Sequence, residues 1–179
     1  MLVPADDMGD VFVAMCGGMM RELEAGGCHL SISNLDRADP SSILRQAETA
    51  CGRYAAHQVH GVIFVPFSLP PDQMWVNQHI AEMLSTKGLG VVLLDRDCAC
   101  PPQRSRFDLV GTANRHCGYT LTRHLLDLGR RRIVFVAGSF AASSVSERIA
   151  GFHDALAEAS LPAGAETVCI VPQLQMEDP

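Results

Sequence analysis

Short apolar runs alternate with longer amphipathic segments along the whole chain. The apolar runs predict strands at residues 2–4, 28–35, 61–66, 90–95, 107–111, 132–138 and 167–171. In the longer segments apolar side chains recur every three to four residues, which is typical of a helix with one buried face. These segments predict helices over residues 11–24, 40–55, 70 to about 87, 115–128 and 144–160.

Residues with known preferences for helix ends support these boundaries. Asp10 is expected to cap the first helix, and Gly26-Gly27 to end it. Asp39-Pro40 supplies a capping carboxylate and a proline suited to the first helical position. Ser144 and Glu147 have the spacing of a capping box, so Ser144 is expected to cap the last helix, a role that leaves ligand contact open.

The order of these elements predicts the fold class. Continuous apolar strands separated by helices favour a parallel sheet that is covered on both faces. With right-handed crossovers, this order gives an α/β fold with doubly wound parallel sheets.

Composition narrows the class of protein. The chain has 179 residues, 47% of them hydrophobic and 19% charged, which is enough apolar material for one core or two small lobes and too much for a disordered chain. The net charge of −6 disfavours direct binding to a phosphate backbone. The sequence has no apolar stretch of membrane-spanning length and no secretory signal at its start, and its seven cysteines predict free thiols in a cytoplasmic protein.

Ligands of wound sheets bind beyond the carboxyl ends of the strands. Four segments of this sequence follow predicted strands: 8–12, 66–68, 95–97 and 139–148. They carry the carboxylate of Asp95, the guanidinium of Arg148, the ring of Phe12 and serines at 139, 143, 144 and 146. Hydroxyls, a carboxylate and a guanidinium suit a small polyhydroxylated ligand, because each sugar hydroxyl both donates and accepts hydrogen bonds.

Each of these residues also has a structural alternative. Asp95 could be a solvated residue at a strand end, paired with Arg96. Arg148 could be an exposed residue of a first helical turn. Phe12 lies on the apolar stripe of its helix and could belong to the core.

Sequence signatures of common enzymes are absent. The chain has no phosphate-binding G-x-x-x-x-G-K-[ST] loop, no G-x-G-x-x-G motif opening a helix, and no G-x-S-x-G motif. The pairs Cys98/Cys100 and His57/His60 lack the further ligands of a zinc site. No base is coupled to a cysteine by sequence. We therefore expect no cofactor, no metal and no catalysis.

The sequence resembles the effector-binding domain of LacI/GalR-type transcriptional regulators. The resemblance is carried by GVIFVPF (61–67), GVVLLDRD (90–97), the stretch 107–138 with HLLDLGRRRI, and SSVSERIAGFHDAL (143–156). The segment VNQHIAEML (76–84) is also similar to the subgroup that joins this sensor to a GntR-type DNA reader.

The resemblance implies a periplasmic-binding-protein-like fold of two lobes with a sugar or related effector bound between them. Residues 1–111 would form most of the N-terminal lobe, and residues 112–179 the start of an incomplete C-terminal lobe. We therefore expect exposed sheet edge and apolar surface, with marginal stability or self-association. The family also implies a homodimer, allosteric control of operator binding as a repressor, and DNA contact only through a module that this chain lacks.

Site residues follow from the same resemblance. Asp95 and Arg148 match the family's ligand-contacting aspartate and arginine, and are expected to face each other across the cleft. Ser144 matches a position that contacts ligand through its hydroxyl. The turn that contains Asp10 and Phe12 matches a ligand-contacting segment, although Asp10-Val11 replaces the usual Asn-Pro.

Two other functions stay open at this stage. One is a sugar-binding protein of an ABC-type transporter, which has the same lobes but is disfavoured by the missing export signal and the cysteines. The other is an α/β enzyme that uses Asp95 and Arg148.

Overall fold

The computed structural model describes residues 1–5, 9–37, 39–99, 102–138, 142–162 and 167–171. Within these ranges strands and helices alternate as predicted. The strands are β1 (Leu2–Pro4), β2 (Ser33–Leu35), β3 (Gly61–Phe64), β4 (Gly90–Leu94), β5 (Asp108–Val110), β6 (Phe135–Gly138) and β7 (Val168–Val171). The helices are α1 (Asp10–Ala25), α2 (Pro40–Ala56), α3 (Trp75–Thr86), α4 (Asn114–Asp127) and α5 (Ser143–Glu158), with a 3₁₀ turn at Pro71–Gln73.

The strands form two sheets, and every strand pair is parallel. The first sheet has the order β2-β1-β3-β4-β5, with Gly61 opposite Gly90 and Leu93 opposite Leu109. The second sheet pairs β6 with β7. This arrangement confirms the predicted α/β class. The change of sheet falls between β5 and β6, whereas the lobe boundary at residues 111–112 stays a prediction.

The first sheet is covered on both faces, as a wound sheet requires. Adjacent residues of one strand belong to different core clusters, because successive side chains point to opposite faces. Leu2 and Leu93 pack in the cluster that contains the buried faces of α2 and α3. Val3 and Leu94 pack in a second cluster with α1.

The predicted helix caps have mixed outcomes. Asp39 caps α2 as predicted, since its Oδ1 accepts a hydrogen bond from the Ser42 N–H at 3.1 Å. The cap predicted for α1 is wrong: extended Gly9 is the N-cap, and Asp10 is the first helical residue with no capping bond. Gly9 takes the capping place because the chain is already extended there, which leaves Asp10 in the first turn, where its charge suits the helix dipole.

The capping box predicted for α5 is also wrong. Ala142 is the N-cap, and Ser144 lies inside the first turn without capping the helix. The helix begins one residue earlier than predicted, where the Ser143 hydroxyl bonds the backbone of Asp97. A long-range contact therefore replaces the local cap.

Two predicted strands begin three or more residues later in the structure. The strand predicted from residue 28 begins at Ser33, and the strand predicted from residue 132 begins at Phe135. In both cases the apolar pattern starts several residues before the first residue that pairs with a neighbouring strand.

The second sheet and α4 leave apolar side chains in contact with solvent. The large exposed ones in this part of the chain are Leu121, Leu125, Leu128, Val134, Val136, Ile170 and Val171. This surface agrees with the expected exposure of apolar groups here, and the expected self-association stays a prediction. No helix among the described ranges is long and apolar enough to span a membrane.

Candidate ligand-binding cleft

A cleft of about 540 Å³ lies where the carboxyl ends of β4 and β5 meet the first turns of α4 and α5. This is the sheet edge at which wound sheets bind ligands. Polar and charged side chains dominate its lining, which consists of Asp95, Arg96, Asp97, Gln103, Arg104, Leu109, Thr112, Ala113, Asn114, Arg115, His116, Tyr119, Ser143, Ser144, Glu147 and Asp154.

Asp95 lies at the mouth of β4, as predicted. Its N–H donates to the Val110 carbonyl at 2.8 Å, and its φ of 69° turns the chain sharply out of the sheet. Gly111 makes room for this turn, because a Cβ there would lie 3.0 Å from the Asp95 carbonyl oxygen. The Arg96 Nε donates to the Asp95 carboxylate at 3.0 Å. The Asp95 carboxylate is therefore paired with Arg96 and also lines the cleft, and its contact with a ligand stays a prediction.

Arg148 meets the cleft through Asn114. Its Nε donates to the Asn114 Oδ1 at 2.8 Å, and the Thr112 hydroxyl donates to the same oxygen at 3.1 Å. Asn114 is buried and lines the cleft, whereas Arg148 is an exposed residue outside the lining. Through Asn114, Arg148 contacts the wall of the same cleft that Asp95 lines. That the two side chains face each other across the cleft stays a prediction.

Ser144 lines the cleft from α5 and is 8% exposed. Phe12 is equally buried, but it packs with Met1, Val3 and Leu94 in the core cluster on the α1 face. Asp10 is exposed in the first turn of α1, and neither residue of α1 lines this cleft. Their role as ligand contacts stays a prediction. Residues 8 and 139, also expected near the ligand, lie outside the described residues.

An ion pair between Arg115 and Asp154 belongs to the lining of the cleft. The Arg115 guanidinium donates two hydrogen bonds to the Asp154 carboxylate, at 2.7 and 2.9 Å. This contact lowers the pKa of the Asp154 carboxyl and raises the pKa of Arg115. Both side chains are well exposed, so the pair adds little stability, yet it joins α4 to α5 at the cleft.

The segment 65–69 reaches the same sheet edge and is fixed by a buried amide. The Asn77 Oδ1 accepts from the Phe67 N–H at 2.7 Å, and its Nδ2 donates to the Phe67 carbonyl at 2.8 Å. Asn77 is fully buried. Its paired bonds satisfy the backbone N–H and carbonyl of Phe67 in the segment that follows β3, as buried backbone groups require.

Sequence reasoning missed the contribution of α4. Asn114, Arg115 and Tyr119 line the cleft, and none of them was among the predicted site residues. Ligands of wound sheets bind beyond the carboxyl ends of the strands, and this rule applies to β5 as it does to the other strands. The helix α4 follows β5 after only a short turn. Applied to residues 112–114, that rule would have found Asn114.

The described residues include no group of three or more His, Cys, Asp or Glu side chains that could hold a metal ion. The chemistry of the cleft is that of a hydrogen-bonding site, with fixed donors and acceptors of both charges.

The sequence profile described as "Periplasmic binding proteins and sugar binding domain of LacI family" matches residues 2–171. The chain belongs to this family.

Curated relatives of this family member are transcriptional regulators. The HTH-type transcriptional repressor PurR of Vibrio parahaemolyticus is 38% identical over 77 residues, covering 39% of this chain and 23% of the repressor. The HTH-type transcriptional regulator GalR of Salmonella typhimurium is 33% identical over 79 residues, covering 44% of this chain and 22% of the regulator. The matched stretches therefore cover less than a quarter of the length of these relatives.

Solved structures share the fold over nearly the whole chain. A complex of the transcriptional regulator CelR with cellobiose has a TM-score of 0.74 and 21% identity, covering 96% of this chain and 50% of that one. The transcription regulator CcpA of Lactococcus lactis has a TM-score of 0.70 and 19% identity, covering 94% of this chain and 56% of that one. These similarities establish a periplasmic-binding-protein-like fold.

Proposed function

We propose that this chain is the effector-sensing part of a LacI/GalR-type transcriptional regulator and binds a sugar-like metabolite non-covalently. The observation that carries the proposal is the cleft itself. It sets the Asp95 carboxylate, the Asn114 amide and the Ser144 hydroxyl around one polar hollow at the carboxyl edge of the sheet. Such a set can pair with the alternating donors and acceptors of a polyhydroxylated ligand.

The family and its relatives support the regulatory part of this proposal. By its description the family includes periplasmic binding proteins and the sugar-binding domain of the LacI family, and the curated relatives reported above are regulators. The similar CelR structure holds cellobiose, a neutral disaccharide. We propose that the present chain also binds a small-molecule effector of this kind. We further propose that the protein is cytoplasmic, as expected of a transcriptional regulator.

The mechanism we propose is a population shift. The cleft has one wall from the first sheet and another from α4 and α5. A ligand that forms hydrogen bonds with both walls binds more tightly when the walls are close together than when they are apart. It therefore stabilises the closed arrangement, by the difference between its binding free energies for the closed and the open state. In a homodimer this shift would alter how two DNA-reading modules, supplied outside residues 1–179, meet an operator, as in a repressor.

We also propose that the site performs no catalysis. The Ser143 hydroxyl bonds the backbone of Asp97 and not a basic side chain, whereas a serine nucleophile requires a neighbouring base. Incubation with candidate sugars should return them unchanged. Product formation at enzyme-like rates would overturn this part of the proposal.

Binding is tested by thermal denaturation and calorimetry of the chain with pentoses, hexoses, disaccharides including cellobiose, and nucleosides. A compound present at about 100 times its Kd stabilises the folded state by about 2.7 kcal/mol and raises Tm by several degrees. Ser144→Ala should remove much of this increase. The matched control is Ser146→Ala, which changes a half-buried serine of the same helix outside the cleft. A panel without any stabilising compound would contradict the proposal.

A further inference from the structure

The backbone of Asp97 and the hydroxyl of Ser143 bind each other in both directions. The Asp97 N–H donates to the Ser143 Oγ at 2.9 Å, and the Ser143 hydroxyl donates to the Asp97 carbonyl at 3.2 Å. Asp97 is 7% exposed and Ser143 is 5% exposed. These two bonds fix the chain just after β4 to the first turn of α5, which is 46 residues further along.

The side chain of Asp97 organises the loop that follows β4. Its Oδ1 accepts from the Ala99 N–H at 3.0 Å, and both carboxylate oxygens lie within hydrogen-bond distance of the Ser105 N–H, at 3.4 and 3.3 Å. The Arg104 Nε lies 3.7 Å from the same carboxylate. Cys98 is 1% exposed and anchors the start of the loop in the core. One carboxylate thus holds both ends of this loop.

Asp97 and Ser143 line the cleft themselves, and the residues that Asp97 fixes are neighbours of further lining residues. Gln103 and Arg104 line it from the loop, next to Ser105. Ser144 lines it from α5, next to Ser143. A displacement of Asp97 would therefore move two walls of the cleft together.

We propose that Asp97 and Ser143 are a positioning pair that couples residues 98–99 and 102–105 to the first turn of α5 and so sets the geometry of the cleft. The pair acts through neighbouring residues. The carboxylate oxygens of Asp97 already accept from two main-chain N–H groups and face Arg104, and the Ser143 hydroxyl is used both as donor and as acceptor. The importance of this geometry for ligand binding rests on the proposed function, whereas the coupling itself is measured without any ligand.

Hydrogen exchange of the ligand-free 179-residue chain tests the coupling. Ser143→Ala removes the partner of the buried Asp97 N–H, so exchange at this amide should become faster. If the pair couples the two segments, exchange at Ala99 and Ser105 should also rise, by at least about tenfold. Amides of residues 62–64 in β3 report global unfolding and should stay unchanged. Ser143→Thr keeps the hydroxyl and should restore slow exchange.

Asp97→Asn tests the coupling in the opposite direction, because it leaves the backbone bonds to Ser143 in place and removes the charge that holds the loop. We expect faster exchange at Ala99 and Ser105, and also at Val145 and Ser146, whose N–H groups bond the Ala142 carbonyl at the start of α5. Asp108→Asn is the matched control, since Asp108 is exposed and lies outside the cleft lining.

The proposal is overturned by either of two results. In one, each substitution changes exchange only on its own side of the Asp97–Ser143 contact. In the other, the change extends equally to residues 62–64, as a general loss of stability would produce. Both results are decided without a ligand, so an unsuccessful ligand search leaves this test intact.

Discussion

Gly151 of α5 packs directly against the backbone of Arg115 in α4. A Cβ atom at position 151 would lie 1.9 Å from the Arg115 carbonyl oxygen. The contact is reciprocal, because a Cβ at Gly118 of α4 would lie 2.0 Å from the carbonyl oxygen of Arg148 in α5. At these positions the two helices cross so closely that only glycine fits. This close crossing determines where the Cα atoms of Arg115 and Arg148 lie.

Gly151→Ala should therefore destabilise the protein by about 3 kcal/mol, because the two helix backbones must separate to accommodate one methyl group. Gly118→Ala should have a similar effect. Gly52→Ala is the matched control: its Cβ would meet nothing within 4 Å, so this helical substitution should stabilise by about 0.5–1 kcal/mol. Urea denaturation measures all three variants. Equal stabilities for Gly151→Ala and the unchanged protein would contradict the packing described above.

Asp95 should contribute to ligand affinity through its charge. Asp95→Asn is the suitable change, because asparagine tolerates the left-handed backbone at this position better than alanine does. Loss of the charged acceptor should weaken binding of an effector found in the panel by about 1–3 kcal/mol, measured by calorimetry. Asp108→Asn should leave the affinity unchanged. An unaltered affinity for Asp95→Asn would remove Asp95 from the ligand site.

Phe12 should matter more for stability than for ligand binding. Its ring is buried with Val3, Val65 and Leu94, so Phe12→Ala should lower the free energy of unfolding by about 3–5 kcal/mol. Phe12→Leu fills more of the space and should cost less. If Phe12→Leu retains stability but loses effector binding in calorimetry, the ring is a ligand contact, as the sequence resemblance implied.

Cys98 should make stability fall at alkaline pH. Burial raises the pKa of its thiol from 9.0 to about 11. The folded state then holds the proton more tightly than the unfolded state, so this contribution is fully present below about pH 9 and is lost as pH rises towards 11. From pH 8 to pH 10.5 the stability advantage of the unchanged protein over Cys98→Ala should shrink by about 2 kcal/mol. Urea denaturation at both pH values measures this advantage, and a constant difference would show that Cys98 does not contribute.

The local pattern predicted the elements better than it predicted their ends. Asp39 caps α2 as expected, because its partner Ser42 is three residues away and the interaction needs only local geometry. The predicted cap at Ser144 failed because the start of α5 is fixed by Asp97, far away in the sequence. The strand predicted from residue 28 begins only at Ser33, where β1 provides a partner.

The lining of the candidate cleft was predicted in part for the same reason. Asp95 and Ser144 line the cleft, since both follow from the rule that ligands bind at the carboxyl edge of a wound sheet. The position of Arg148 beside Asn114 could not be predicted, because it depends on how closely α4 and α5 cross.

The sequence by itself determined the order of strands and helices and the parallel α/β class, because side-chain periodicity and helix-end residues act over a few neighbours. Its motifs also determined the family. Only the tertiary structure decided that Asp97 binds Ser143, that Arg148 binds Asn114, and that Phe12 turns into the core. These contacts join segments tens of residues apart or depend on which face of a sheet a helix covers, and local sequence patterns do not specify either.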